Sequence, residues 1–277
     1  MSAPSPSSAA LPATLTLVGA GKMGGAMLSG WLSAGLDAGR TTILDPQASP
    51  EMRALCAARG LALNPAVPPV SEALVLAMKP QGLEAAAPGL VSLIGPDTLV
   101  ISILAGKTIA NLRDRLPGAR AIVRAMPNLP ASIGRGATGA VASAEVEARQ
   151  RAQADALLAS VGSVEWLDDE GLIDALTAVS GSGPAYVFLL AEVMAQAGAA
   201  AGLPADMAAR LARSTVSGAA ALLDANPREA GLLRQDVTSP GGTTAEALAV
   251  LMRSGGLPDL MREAVDAARR RAGALAG

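Results

Sequence analysis

The sequence predicts an α/β fold, a doubly wound and mostly parallel sheet, followed by an all-α domain. Short apolar runs alternate with helix-like segments from residue 14 to about residue 168. A glycine-rich turn lies between the first run and the first helix-like segment. After residue 169 no strand signal remains, and long helical segments succeed one another. The expected boundaries are a disordered Ser/Ala/Pro tail at 1–13, the α/β domain at 14–168 and the helical domain at 169–277.

The first run, Leu15-Thr-Leu-Val18, enters the turn Gly19-Ala-Gly-Lys-Met-Gly24, and a helix covering 26–32 leaves it. This spacing fits a dinucleotide. Gly19 permits the tight turn, Gly21 lets a pyrophosphate approach the backbone, and Gly24 lets the helix pack close to the strand. The helix N-terminus then offers its N–H groups to the phosphates. Thr41-Thr-Ile-Leu-Asp45 reads as a second strand, ending in an acid where a ribose-binding carboxylate belongs. A helix follows at 50–59. Further strands are expected at 73–78, closed by Lys79-Pro80, at 98–103, and at 121–124 before Met126-Pro-Asn-Leu-Pro130. Two more fit 139–142 and 163–167, with helices at 81–94, 109–116 and 145–160. Ligands of such sheets bind beyond the carboxyl ends of the strands, which points to the loops 19–24, 45–47, 77–80, 103–106 and 126–130.

In the second half, 184–201 is apolar almost all round and reads as a buried helix. A long helix at 204–225 starts with proline, as helices prefer. A shorter one is expected at 227–235, then a non-helical stretch at 237–244, then helices at 245–253 and 258–274. Arg269-Arg-Arg271 reads as a solvated helix end matched to the macrodipole. An all-round apolar helix needs a covering surface, so a homodimer built through this half is expected.

Composition narrows the chemistry. Hydrophobic residues make up 51% and aromatic residues 1%, so Ala, Leu, Val and Met must fill the core. A net charge of −2 argues against a nucleic-acid surface. The lone Cys56 excludes an intramolecular disulfide framework and a multi-cysteine metal site, and reads as a small buried apolar residue. The absence of histidine removes imidazole acid–base chemistry and histidine metal ligands, and no metal is expected. No secretory pattern and no uninterrupted membrane span is read, so the cytoplasm is the expected compartment.

Two glycine-and-hydroxyl motifs precede helices, Ser180-Gly-Ser-Gly-Pro184 and Thr238-Ser-Pro-Gly-Gly-Thr-Thr244. Helix capping accounts for one Ser or Thr. Two glycines with Pro240 and two threonines exceed what a cap requires, and exposed N–H groups there would hold a carboxylate. A dinucleotide domain joined to a carboxylate site is a candidate for hydride transfer.

At these residues the sequence resembles pyrroline-5-carboxylate reductase over nearly all of its length after the tail. The resemblance rests on Gly19–Gly24, Ala77-Met-Lys-Pro80, Met126–Pro130, the stretch 174–186 around Ser180-Gly-Ser-Gly-Pro184, and Val237–Thr244. It implies an α/β Rossmann-type doubly wound sheet followed by an all-α dimerisation domain. It implies hydride transfer from NADPH or NADH to the C=N carbon of 1-pyrroline-5-carboxylate, giving L-proline. It implies a homodimer at least, and family members also form decamers. Carried over by position, Val18, Gly19, Ala20, Gly21, Lys22 and Met23 hold the pyrophosphate. Ala77, Met78, Lys79 and Pro80 line the cofactor, and Ile103, Leu104 and Ala105 run along its nicotinamide side. Glu170, Thr243 and Thr244 contact the substrate, with Ser239 and Gly242 in the same loop.

A protonated cyclic imine is already an electrophile, so no strong base is required. The carboxylate must be anchored, the imine proton held and the nicotinamide placed at near-attack distance. N–H groups around Gly242–Thr244 are assigned to the carboxylate, and the Thr244 hydroxyl to the ring nitrogen. The chain departs from the family pattern at Asp45, which suits the ribose of NADH and repels the 2′-phosphate of NADPH unless Arg40 or Arg53 compensates. It departs again at Asp236, where an asparagine is usual. Two alternatives stand beside this reading: a β-hydroxyacid dehydrogenase of the 6-phosphogluconate type, which needs a lysine in its helical half where this chain has none after Lys107, and a catalytically silent dinucleotide-binding scaffold.

Overall fold

Residues 11–276 are described by a computed structural model. Chain order in the first half is β1 (Leu15–Val18), α1 (Lys22–Ser33), β2 (Thr41–Leu44), α2 (Pro50–Arg59), β3 (Ala62–Leu63), β4 (Ala73–Leu76), α3 (Leu83–Val91), β5 (Leu99–Ser102), α4 (Ile109–Arg115), β6 (Ala121–Met126), β7 (Gly136–Ala142), α5 (Ala148–Ala159) and β8 (Gly162–Trp166). The sheet runs β3-β2-β1-β4-β5-β6-β7-β8. All pairs are parallel except β6 with β7. The strand order reverses between β1 and β4, and such a switch point leaves a crevice at the carboxyl ends.

Side-chain alternation explains why both faces are covered. Ala73 and Val75 of β4 face one layer, with α1, α2 and α5, while Leu74 and Leu76 face the other, with α3 and α4. Trp31 of α1 is fully buried, and its Nε1 donates to the Leu157 carbonyl of α5 at 2.8 Å. Cys56 lies in the same layer, and burial pushes its thiol pKa up. The two-residue β3 was not expected, because a run so short carries no periodicity. Of the segment read as a tail, 1–10 lie outside the described residues. Leu11 packs against the core, and the Ala13 N–H donates to Glu72 Oε2 at 2.6 Å.

The helical half contains α6 (Ile173–Leu176), a π-helical stretch Thr177–Gly181, α7 (Gly183–Ala200), α8 (Ala205–Ala225), α9 (Ala230–Asp236), α10 (Thr243–Leu251) and α11 (Leu257–Ala276). Two compact units emerge: residues up to Gly181 with the stretch from Arg269 onward, and Ser182–Ala268.

Four expectations are corrected here. No residue of α7 is buried in the single chain, because an apolar helix is buried only when a neighbour covers it. Glu170–Ala200 is one helical run long and apolar enough by length and composition to cross a membrane. Such a run also results from an interface helix, since a partner surface and lipid tails are equally apolar. Ser180-Gly-Ser-Gly-Pro184 is not a free helix start, for the chain is already helical through Gly181. Arg269–Arg271 lie more than a turn before the end of α11, which continues to Ala276.

Candidate active site

Three post-strand turns converge at the switch point because register aligns the strand ends. Val18 stands beside Leu44 on one side and Leu76 on the other, and Leu76 stands beside Ser102. The next residues continue the ladder: Gly19 N–H donates to the Leu44 carbonyl (2.9 Å), Ala77 N–H to Val18 (2.8 Å) and Ile103 N–H to Leu76 (3.0 Å). The sequence-predicted residues 18–23, 45, 77–80 and 103–105 are thereby brought to one edge of one sheet.

The turn is shaped for a phosphate. Gly19 has φ +88°, and a Cβ there would lie 2.7 Å from the Met78 backbone. A Cβ on Gly24 would run into the Gly19 carbonyl, so α1 can approach the turn only with glycine at this position. A Cβ on Gly21 would meet nothing within 4 Å, so the backbone there faces open space. Gly21 is the N-cap of α1 and supplies no side-chain acceptor, which leaves the first-turn N–H groups for an anion. Lys22 and Met23 open the helix itself. These features fit a dinucleotide pyrophosphate.

Beside the turn is a cleft of about 380 Å³, lined by Val18, Gly19, Leu44, Asp45 and Met78 and by apolar residues of α3. Asp45 stands just past β2. Its Oδ2 accepts the Ala20 N–H and its Oδ1 accepts the Gln47 N–H, both at 2.9 Å. Asn64, which sequence reasoning missed, holds the Asp45 backbone through two reciprocal 2.8 Å hydrogen bonds. Of the two arginines considered for a phosphate, Arg40 lies 3.8 Å from Asp37, and Arg53 donates from Nε to the Ala48 carbonyl at 3.1 Å.

Glu170, expected at the substrate, has Oε1 engaged twice, by Arg124 at 2.8 Å and by the Ile109 N–H at 2.9 Å. Arg124 was not singled out. Its signal was a lone charge in the apolar run 121–124, since a buried charge requires a partner. Asn128 of the 126–130 loop is a tie within the fold: its Nδ2 donates to the Ser180 carbonyl and its Oδ1 accepts the Ala137 N–H.

Ser239, Gly242, Thr243 and Thr244 lie in the other unit. The non-helical stretch ends earlier than expected, and α10 begins at Thr243 with Gly242 as its N-cap. Gly242 N–H donates to the Ser239 carbonyl at 3.0 Å. No side chain caps the helix, so Thr244, in its first turn, is not spent on capping. Asp236, where an asparagine is usual, pairs with Arg228.

A family model described as pyrroline-5-carboxylate reductase dimerisation matches residues 170–275, and one described as NADP oxidoreductase coenzyme F420-dependent matches 14–106. A pyrroline-5-carboxylate reductase from Pseudomonas aeruginosa is 40% identical over 266 residues, 95% of this chain and 96% of that protein. This chain belongs to the pyrroline-5-carboxylate reductase family. The same enzyme from Synechocystis is 46% identical over 73% of this chain and 74% of its own. The solved pyrroline-5-carboxylate reductase from Coxiella burnetii superposes with a TM-score of 0.88 at 34% identity, covering 96% of this chain and 99% of its own. Membership of the pyrroline-5-carboxylate reductase family disfavours both alternative readings. The exposed α7 lies within the stretch matching the dimerisation model.

Proposed function

We propose that this protein reduces 1-pyrroline-5-carboxylate to L-proline with NADPH or NADH, the last step of proline biosynthesis, as a homo-oligomeric cytoplasmic enzyme. The observation that carries the reading is the pairing, in one chain, of a phosphate-shaped turn with a threonine-bearing helix start that no side chain caps. A buried free cysteine suits a reducing compartment.

A bound nicotinamide dinucleotide supplies the hydride. The backbone of 18–23 would hold its pyrophosphate, Asp45 its adenosine ribose, 77–80 its middle, and Ile103–Ala105 its nicotinamide side. The N–H groups at the start of α10, with Ser239 beside them, would anchor the substrate carboxylate. The Thr244 hydroxyl oxygen would accept the N–H hydrogen bond of the protonated ring nitrogen, holding the imine in place for hydride transfer. The functional division is proposed at 168/169, with substrate binding and dimerisation on the helical side. The assembly is at least a homodimer, with a decamer as the larger form to be sought by light scattering.

The test is direct. Protein, 1-pyrroline-5-carboxylate and NADPH or NADH are mixed, and the nicotinamide absorbance is followed. Its loss, with L-proline as product, is expected. No loss with either cofactor would overturn the proposal.

A further inference from the structure

We infer that Glu170 is a positioning residue: with Arg124 it latches the loop between β5 and α4, the stretch assigned to the nicotinamide side of the cofactor. The inference rests on the functional reading above for its consequence in catalysis. The latch itself rests on geometry alone.

The loop is tied along its length. At its start, the Leu104 N–H donates to Ser102 Oγ at 3.3 Å, and Ser102 is the last residue of β5. In its middle, the Lys107 N–H closes a turn onto the Leu104 carbonyl at 3.1 Å. At Gly106 the Leu275 carbonyl sits 2.6 Å from where a Cβ would be, so the loop is pressed from outside. At its end, Thr108 and Asn111 form a reciprocal capping box on α4. The capping box accounts for the Thr108 and Asn111 N–H groups, and among the groups it leaves is the N–H of Ile109, the first residue of the helix. Glu170 Oε1 accepts it.

That carboxylate arrives from a distant part of the chain and is itself held. Arg124 is buried in β6, directly beside Ser102 in the parallel register. Its Nη1 donates to the same Oε1 that takes the Ile109 N–H. Arg124 also lines a small cavity with Leu104, Ala105 and Gly106. One guanidinium on the sheet thus fixes one carboxylate, which fixes the helix start that ends the nicotinamide-side loop. A carboxylate at a helix N-terminus also complements the macrodipole. A residue touching substrate and a residue acting through this loop differ in what their removal changes.

The experiment compares wild type with Glu170→Gln, Glu170→Ala and the apolar pair Arg124→Leu/Glu170→Leu. The first readout is amide hydrogen exchange over 103–112 in protein without cofactor or substrate. Exchange about tenfold faster is expected in Glu170→Ala and in the double variant, with Glu170→Gln close to wild type because its amide oxygen still accepts the Ile109 N–H. The second readout is steady-state kinetics, where kcat is expected to fall about tenfold in Glu170→Ala while the KM for 1-pyrroline-5-carboxylate stays within about twofold. Should Glu170→Ala not fold, the double variant decides, because it leaves no buried charge uncompensated. Unchanged exchange over 103–112 together with a raised substrate KM would overturn the latch and make Glu170 a substrate ligand. If wild type reduces no 1-pyrroline-5-carboxylate, the functional reading fails, and the exchange data still decide the latch.

Discussion

The Asp45 carboxylate accepts the backbone N–H of Ala20 at 2.9 Å, tying the end of β2 to the middle of the glycine turn. The acid that would meet the adenosine ribose is therefore also a strut of the turn that would hold the pyrophosphate. Its other oxygen takes the Gln47 N–H, so its position is fixed before any ligand arrives.

Asp45→Ser should move cofactor preference toward NADPH. The carboxylate that repels a 2′-phosphate is removed, while the hydroxyl can still accept one hydrogen bond. We expect the NADPH/NADH ratio of kcat/KM to rise by about tenfold or more, one to two kcal/mol of differential binding. An unchanged ratio would show that Asp45 does not set the preference.

Gly21→Ala and Gly24→Ala should part company. A methyl at Gly21 enters open space, so stability should hold within about 0.5 kcal/mol while cofactor affinity drops. A methyl at Gly24 meets the Gly19 carbonyl and should cost about 1–3 kcal/mol of stability as well. Urea unfolding beside cofactor titration separates the two effects.

Thr244→Ala should lower turnover by roughly 100-fold, the scale of losing the group that orients a reacting atom for attack. Because Thr244 is not the cap of α10, the unfolding midpoint should barely change. Thr244→Ser, which keeps the hydroxyl, should recover much of the rate. Wild-type turnover in the alanine variant would remove Thr244 from the reaction.

Glu72 should govern part of the acid sensitivity. Burial pushes its carboxyl up, but hydrogen bonds from Gln153 and the Ala13 N–H, with Arg149 alongside, outweigh burial and hold its pKa below the ordinary 4.5. A depressed carboxylate stabilises the folded state fully above its unfolded value, and that contribution is lost as pH falls through the folded value. Glu72→Gln should therefore lower stability at neutral pH and flatten its decline below pH 4.5. Denaturation curves at neutral and acidic pH check both parts.

Phe188→Asp should weaken the assembly. Phe188 is 61% and Leu189 56% exposed on α7 in the single chain, a burial left for a second copy to complete. Light scattering is expected to show a smaller particle than wild type. An unchanged mass would place the interface elsewhere.

The fold was legible where physics is local. The turn at Gly19–Gly24 follows from spacing, and α2 spans Pro50–Arg59 as read, because Ser49 and Pro50 open it and Gly60 ends it. The buried strands showed as apolar runs. Glu170 was legible only as a position, since its partner Arg124 is 46 residues away. Asn64 was invisible for the same reason: it acts on Asp45 from 19 residues along the chain.

By itself, then, the sequence determined the alternation of strand and helix, the phosphate-shaped turn and the two hydroxyl motifs, because each is encoded in residues adjacent along the chain. Tertiary structure alone decided that Asp45 braces the glycine turn and that Glu170 is seized by Arg124 and the start of α4. Hydrogen bonds between distant residues depend on register and packing, and a single chain carries those only once the sheet has formed.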